Sequence, residues 1–373
     1  MKIEQETRRC GDRRRGRYLL ENDHLPPLSS ASPRLVFDFF SRFDEPQGRR
    51  KDPYETSQSQ RKTSRACYNL NIPKVLAMPA LLDLVGNTPL MDLSALVGKP
   101  GVTLLAKCEG NNPASSVKDR AAKGMILGAL ERGTLKRGMR LIEATSGNTG
   151  IALAMIARAV GIEMHLVMPQ TLTIERTQTM QVFGATVHLI DGNMEQARDY
   201  AAAKVAETAG KDGAFVMLNQ FGNPDNPLAH YRSTGPEVWR DTQGQVTHFI
   251  SAMGTTGTIM GVSRFLKEQN SAVTIVGCQP AEGSQIPGIR RWSKDYLPTF
   301  FESSRVDRVF DITQKDAENT ARRLAKEVGL FSGPSSGGAC WAAMQIAQQI
   351  DRGVLVFIAC DRGDRYLSSD LFR

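Results

Sequence analysis

Short apolar segments alternate with amphipathic helical segments from about residue 102 to residue 359. Apolar segments of this kind are typical of strands buried on both faces, and helices between them connect parallel strands. The alternation therefore predicts an α/β fold with doubly wound, mostly parallel sheets. The predicted strands are 102–108, 139–143, 164–168, 186–190, 215–218, 247–251, 273–279 and 354–359, and the predicted helices are 118–132, 150–160, 174–183, 193–209, 231–240, 257–269, 314–328 and 338–350.

A Pro- and Asn-rich connection at residues 223–227 separates this alternation into two groups. We therefore predict two doubly wound domains with the ligand in the cleft between them. The larger, ligand-binding domain is expected to comprise residues 78–118 and 223–373. The smaller, substrate-side domain is expected to comprise residues 119–222.

Residues 1–77 lack any sustained period of 2 or 3.6 and carry 16 Lys and Arg against 10 Asp and Glu, whereas the rest carries 31 against 29. We predict that this segment is a basic, disordered extension. A basic tail can bind nucleic acid or anionic lipid, but the interspersed acidic residues argue against that role. A further hypothesis is that translation begins at Met78, which the intact mass of the natively expressed protein would test.

The cysteines form no CxxC pair and have no regular spacing, which argues against a zinc site or a disulfide framework and fits a reducing compartment. The sequence also lacks an apolar run long enough to span a membrane and the apolar core of a secretory signal. The five histidines are scattered, so we expect no metal site. These features together predict a cytoplasmic protein.

Lys118 follows the loop Asn112-Pro113-Ala114-Ser115-Ser116-Val117 at a predicted loop-to-helix junction. The positive potential at a helix N-terminus favours a neutral amine, which is the form that a Schiff-base lysine needs. A lysine at a helix start is more often a solvated surface residue. The assignment therefore depends on the loops that follow.

Three further Gly-, Ser- and Thr-rich loops open predicted helices. Residues 145–150 (Thr-Ser-Gly-Asn-Thr-Gly) follow a strand and offer donors for an anion, beyond what a helix cap needs. Residues 254–258 (Gly-Thr-Thr-Gly-Thr) lack the Lys of a nucleotide P-loop, so they suit a cofactor phosphate without Mg²⁺. Residues 333–338 (Gly-Pro-Ser-Ser-Gly-Gly) would by themselves indicate only a tight turn.

In this order and spacing, the four loops resemble those of the fold-type II pyridoxal phosphate enzymes, which have a tryptophan synthase β-like fold, and among them the cysteine synthases. The resemblance covers about residues 81–367. It implies pyridoxal 5′-phosphate as the cofactor, bound covalently by Lys118. The resemblance implies that Asn148 contacts the 3′-oxygen of the cofactor and that Ser335 contacts its pyridine nitrogen. The implied phosphate contacts are Gly254, Thr255, Thr256, Gly257 and Thr258. The implied contacts to the substrate carboxylate are Thr145, Ser146, Gly147, Thr149 and Gln220.

The resemblance also implies a β-replacement on O-acetyl-L-serine. Lys118 would remove the Cα proton as the general base, acetate would leave, and a sulfur nucleophile would add at Cβ to give L-cysteine. Ser335 is a neutral partner for the ring nitrogen, which favours prompt β-elimination over transamination. A homodimer acting on small molecules is expected from the resemblance alone.

Residues 288–292 and 360–367 resemble the B-type cysteine synthases. Arg290 and Arg291 suit an oxyanion larger than sulfide, because a forked guanidinium matches sulfonate geometry. We therefore predict that thiosulfate is a co-substrate, giving S-sulfocysteine, and that sulfide is also accepted. Cys360 is a candidate reactive thiol near this site. A solvated loop for the arginines and a buried strand-end position for Cys360 remain open alternatives.

Ser115 stands where the family usually has Gly, and it costs free energy if that position requires a positive φ. For the chain as a whole, the alternatives are a threonine dehydratase or cystathionine β-synthase of the same fold, or a catalytically silent homologue that binds a partner. The basic tail could also bind RNA, although the sequence does not favour this.

Overall fold

The computed structural model describes residues 80–145, 147–170, 174–293 and 296–373. The predicted extension (1–77), the alternative start at Met78 and the predicted substrate residue Ser146 lie outside these ranges. In the described part the strands are β1 (Leu90–Asp92), β2 (Val102–Cys108), β3 (Arg140–Ala144), β4 (Glu163–Pro169), β5 (Thr186–Ile190), β6 (Phe215–Val216), β7 (His248–Ala252), β8 (Thr274–Pro280), β9 (Arg308–Ile312) and β10 (Gly353–Ala359). The helices are α1 (Lys118–Glu131), α2 (Asn148–Val160), α3 (Ile174–Val182), α4 (Met194–Thr208), α5 (Asp225–Arg232), α6 (Thr234–Asp241), α7 (Gly257–Gln269), α8 (Gln314–Val328) and α9 (Pro334–Gln349).

The strands form two sheets. One has the order β1-β2-β10-β7-β8-β9 and the other β5-β4-β3-β6. All the pairings are parallel except that of β1 with β2. The α/β fold with mostly parallel sheets is therefore confirmed. The strands of the six-stranded sheet come from the segments predicted for the larger domain, and those of the four-stranded sheet from the smaller, while the domain boundaries stay a prediction.

Helices cover both faces of the six-stranded sheet, as its central strand β10 shows. Leu355 and Phe357 pack in the core cluster that contains α9, whereas Val356 and Ile358 pack in the cluster that contains α7. Successive side chains of a strand point to opposite faces, so a strand that is apolar at every position must be covered twice. This is why the apolar segment of β10 was readable from the sequence.

The structure differs from the prediction at three places. The segment 223–240 forms two helices, α5 and α6, where one was predicted at 231–240. Helix α9 begins at Pro334 and not near residue 338, because Pro is preorganised for the first helical position after the extended residue Gly333. The short strands β1 and β9 lie at the two edges of their sheet and were not predicted.

No helix in the described ranges is both long and apolar enough to cross a membrane.

Candidate active site

A cavity of about 1240 Å³ lies at the carboxyl ends of strands from both sheets. Ligands bind at this edge of parallel sheets because the loops after the strands converge there. Of the predicted site residues, those that line the cavity are Lys118, Thr145, Gly147, Asn148, Thr149, Gln220, Gly254, Thr255, Thr258, Arg290, Arg291, Ser335 and Cys360. The remaining two described ones, Thr256 and Gly257, are buried within the same loop.

Lys118 opens α1, as predicted, and its side chain faces the cavity. Burial lowers the pKa of the Lys118 amine, although the neighbouring Cys360 and Asp361 act in the opposite direction. The direction agrees with the sequence argument, but burial is the main cause and not the helix terminus. The backbone N–H of Val117 donates to the Cys360 carbonyl at 2.8 Å, which ties the lysine loop to the end of β10.

The lysine loop is held by a buried carboxyl group. Asp119 accepts hydrogen bonds from the Ala114 N–H at 2.6 Å and the Ser116 hydroxyl at 3.3 Å. Burial raises the pKa of Asp119 to about 7. Ser115 has a φ of 59°, which confirms that this position needs the left-handed conformation.

Behind the loop, a buried ion network anchors α1. Arg120 donates two hydrogen bonds to Glu109, two to Glu237 and one to Thr88, at 2.7–3.1 Å. The buried Lys107 forms a second ion pair with Glu237 at 2.8 Å. Burial by itself would raise the pKa of Glu237, but its bonds to Arg120 and Lys107 hold the value at about 2.

The predicted phosphate loop, residues 254–258, opens α7. A Cβ on Gly254 would lie 2.6 Å from the Gly288 carbonyl oxygen, so only glycine fits there. Thr256 has a φ of 67°, and its buried hydroxyl has no hydrogen-bond partner among the described residues. An unpaired buried donor beside the N–H groups of a helix N-terminus suits a phosphate, so this donor set fits the cofactor.

His230 supports this loop from behind, a role that the sequence did not indicate. Its ring nitrogens hydrogen-bond to the hydroxyls of Thr234 at 2.9 Å and Thr258 at 3.3 Å. Burial and the nearby Arg120 charge lower the pKa of His230 to about 3, so the ring is neutral at physiological pH. A neutral ring can accept from one hydroxyl while it donates to the other.

The predicted carboxylate site faces the phosphate loop. Thr149 donates to the Gln220 side-chain oxygen at 2.8 Å. Asn226 donates to the Gln220 carbonyl at 2.8 Å and to the Thr255 hydroxyl at 3.1 Å, so it links the two loops. Sequence reasoning missed Asn226 because it lies in the segment read as a connection.

Asn148 is engaged by the C-terminal segment. Its amide donates to Asp361 at 2.7 Å, and its oxygen accepts from Arg365. Tyr366 also donates to Asp361, at 2.7 Å. Asp361, Arg365 and Tyr366 were not predicted, because they are more than 200 residues from Asn148 in sequence. The contact of Asn148 with the cofactor 3′-oxygen stays a prediction.

Cys360 follows β10, and its backbone N–H donates to the hydroxyl of the buried Ser336 at 2.8 Å, in the first turn of α9. Burial and the neighbouring Asp361 raise the pKa of the Cys360 thiol to about 11. The thiolate is the nucleophilic form of cysteine, and a raised pKa favours the thiol form at neutral pH. Cys360 is half-buried and lines the cavity, so its role at the site stays a prediction.

The two predicted arginines have different surroundings. Arg291 forms an ion pair with Asp311 at 2.5 Å and donates to the Pro280 carbonyl. Arg290 instead lies over the rings of Phe221 and Trp292, at 5.4 and 5.5 Å. Of these two arginines, Arg290 alone has no acidic partner among the residues that the structure describes.

Comparison with known proteins agrees with this site. The family model for pyridoxal-phosphate dependent enzymes matches residues 81–361. Cysteine synthase B of Pseudomonas aeruginosa is 56% identical over 296 residues, which cover 79% of this chain and 97% of that protein. Cysteine synthase B of Escherichia coli is 54% identical, covering 79% and 96%, and cysteine synthase A of the same species is 39% identical, covering 77% and 93%.

Among solved structures, the cysteine synthase of Entamoeba histolytica superposes with a TM-score of 0.75 at 36% identity, covering 81% of this chain and 93% of that chain. The family match, the relatives and the lysine at the converging loops lead to one assignment. This chain belongs to the pyridoxal-phosphate dependent enzymes and, within them, to the cysteine synthases of the B type.

Proposed function

We propose that this chain catalyses a β-replacement on O-acetyl-L-serine, with sulfide or thiosulfate as the sulfur donor, giving L-cysteine or S-sulfocysteine and acetate. The observation that carries the proposal is the half-buried Lys118, whose amine has a lowered pKa and faces a cavity lined by a phosphate-type loop and a carboxylate-type loop. The relatives named cysteine synthase B support the choice of substrate class.

Pyridoxal phosphate would be held by Lys118, Asn148, the loop 254–258 and Ser335. When bound, it withdraws electrons from the amino-acid Cα and so acidifies the proton there. Burial lowers the pKa of the Lys118 amine and so favours its neutral form, which can accept that proton as a general base. Ser335 is buried and uncharged, so it offers the ring nitrogen no carboxylate that would stabilise its protonated form.

Thr149 and Gln220 would orient the substrate. The Gln220 oxygen is occupied by the Thr149 hydroxyl, which leaves the amide nitrogen to donate to the α-carboxylate. Thr145 and Gly147 line the same wall. A carboxylate fixed here holds Cα–H near Lys118, which makes proton transfer effectively intramolecular.

Arg290 would contact the sulfonate of thiosulfate, since Arg291 is already neutralised by Asp311. Steady-state kinetics test this assignment. We expect Arg290→Ala to reduce kcat/KM for thiosulfate by about tenfold or more, the loss of one charge-assisted hydrogen bond, and to affect sulfide much less. Equal losses with both donors would exclude the assignment.

The decisive experiment is an absorbance spectrum of the purified protein before and after addition of O-acetyl-L-serine. We expect a visible band that changes with substrate and is absent from Lys118→Ala. Protein that stays colourless with excess pyridoxal phosphate, or full turnover by Lys118→Ala, would refute the proposal. Product analysis with sulfide distinguishes the reaction from those of a threonine dehydratase or cystathionine β-synthase.

Three finer expectations complete the proposal. The larger domain would comprise residues 78–118 and 223–373 and the smaller domain residues 119–222, which is supported by the separate sheets. The protein would act as a homodimer, to be tested by light scattering. It would work in the cytoplasm, in keeping with four free cysteines among the described residues, and cell fractionation would test this.

A further inference from the structure

Two arginines from different sheets lie against the same aromatic ring at the cavity. Arg198 is on α4, which packs on the four-stranded sheet, and Arg290 follows β8 of the six-stranded sheet. Their guanidinium carbons are 5.6 and 5.4 Å from the centroid of the Phe221 ring. Both side chains line the cavity. The ring of Phe221 is thus contacted by two cations whose elements belong to different sheets.

Neither guanidinium forms an ion pair with an acid among the described residues. Glu195 precedes Arg198 on α4 and lines the cavity, but the two form no ion pair. Glu143 feels the Arg198 charge, yet burial raises the pKa of Glu143 to about 7. Partial desolvation and the charge of Arg198 lower the pKa of Arg290. The two cations therefore repel each other, and an anion in the cavity near both would relieve that repulsion.

We propose that Arg198 and Arg290 together bind the sulfonate group of the sulfur donor, and that Arg198 is a specificity-determining residue for thiosulfate over sulfide. The proposal rests on the proposed β-replacement. A sulfonate has three oxygens that can accept from two guanidinium forks, while sulfide has none. The Phe221 ring holds the cationic planes by its π face and limits their freedom before the donor arrives.

Kinetics of the holoenzyme with each donor test the pair. For Arg198→Ala we expect the KM for thiosulfate to rise about tenfold or more, because a charge-assisted contact is lost, with kcat for thiosulfate and all constants for sulfide within about twofold. Arg198→Lys should recover part of the loss, since it keeps the charge but not the fork. Arg158→Ala, an exposed arginine at the end of α2, is the matched control and should change neither donor.

Direct binding separates this proposal from the overall reaction. Calorimetric titration of sodium thiosulfate into the holoenzyme should show weaker binding to Arg198→Ala than to Arg158→Ala. Equal affinities, or equal loss of sulfide and thiosulfate turnover, would overturn the role of Arg198. A wild-type enzyme that makes cysteine from sulfide but neither binds nor uses thiosulfate would overturn it too, and would leave the β-replacement standing.

Discussion

Arg120 offers the sharpest test of how the lysine loop is anchored. Arg120→Met retains much of the side-chain volume and removes the charge and five hydrogen bonds. Glu237 keeps Lys107 as a counter-ion, at 2.8 Å. Glu109 is fully buried and keeps only the neutral donors Thr88 and Asn112. The variant thus leaves one buried carboxylate without a cation.

Breaking a buried pair from one side costs about 3–5 kcal/mol. Protonation of Glu109 limits the cost, because neutralising a carboxyl with an ordinary pKa of 4.5 at pH 7 takes about 3 kcal/mol. We therefore expect Arg120→Met to lower the free energy of unfolding by about 3–5 kcal/mol at pH 7. The melting temperature of the holoenzyme should fall by roughly 6–15 °C.

Melting curves followed by circular dichroism, at several pH values, would measure the effect. Arg323→Met is the matched control, since Arg323 and Glu327 form an exposed i,i+4 pair whose loss should cost at most about 0.5 kcal/mol. The penalty of Arg120→Met should shrink below pH 7, because protonating Glu109 becomes easier by about 1.4 kcal/mol per pH unit. Adding Glu109→Gln should restore part of the stability. A penalty equal to that of the control, or one independent of pH, would refute the reasoning.

Two further predictions concern the loops. Glu143 accepts from the Leu218 and Asn219 N–H groups, and burial raises its pKa from 4.5 to about 7. The protonated Glu143 therefore stabilises the fold fully below about pH 4.5, and this contribution is lost as the pH rises to about 7. Between pH 5 and 8, the free energy of unfolding of Glu143→Gln should increasingly exceed that of wild type, by up to about 3 kcal/mol, as measured by urea titration. In Gly257→Ala the new Cβ would lie 2.0 Å from the Asn226 side-chain oxygen. We expect the phosphate loop to shift and the apparent Kd for pyridoxal phosphate to rise by about tenfold, measured by titrating apoenzyme.

The strands could be predicted from the sequence where burial on both faces requires a continuous apolar segment. The central strand β10 is apolar at every position because helices cover both of its faces, so its sequence is easily recognised as a strand. Edge strand β9 is different, since Arg308 and Val309 are exposed and only Ile312 is buried. Such a strand is defined by its pairing with β8 and not by its own composition.

The starts of α5 and α9 show that the same local sequence can favour either a turn or a helix N-terminus. Asn223, Pro224 and Asp225 favour a turn, and they equally favour a helix N-terminus, which is what they form at α5. Pro334 likewise starts α9, so Ser335 lies in a helical turn and not in an open loop. Sequence alone does not decide between these outcomes, because the packing of the segment against the rest of the chain selects one.

In the active site, too, the residues with local sequence signals were predicted, and those defined by tertiary contacts were not. Lys118 and the Gly- and Thr-rich loops were predicted because short motifs, in their order and spacing along the chain, resemble those of a known family. Asn226, His230 and Asp361 support those loops from distant parts of the chain, and their roles depend on contacts that only the fold creates. The pairing of Arg291 with Asp311 is likewise a tertiary contact, and no local spacing predicts it.

Ser115 tests whether the lysine loop carries avoidable strain. Its φ of 59° costs an L-residue about 1–2 kcal/mol, while glycine adopts it freely but loses about 0.5–1 kcal/mol more conformational entropy on folding. We therefore expect Ser115→Gly to stabilise the protein by about 0.5–1 kcal/mol. Ser115→Val should destabilise it, because a β-branched side chain is the least tolerant of this conformation.

Turnover should respond differently from stability. The Ser115 N–H already donates to the Asn112 carbonyl at 2.7 Å, so the turn that presents Lys118 is formed with either residue. We expect kcat of Ser115→Gly to stay within about twofold of wild type, because the Lys118 amine keeps its position. A displacement of that amine by about 1 Å would lower kcat by far more than twofold. Urea unfolding and steady-state rates on the same preparations measure both effects. A loss of stability in Ser115→Gly would show that the serine relieves more strain than it imposes, and a large gain in kcat would show that Ser115 displaces the lysine from its productive position.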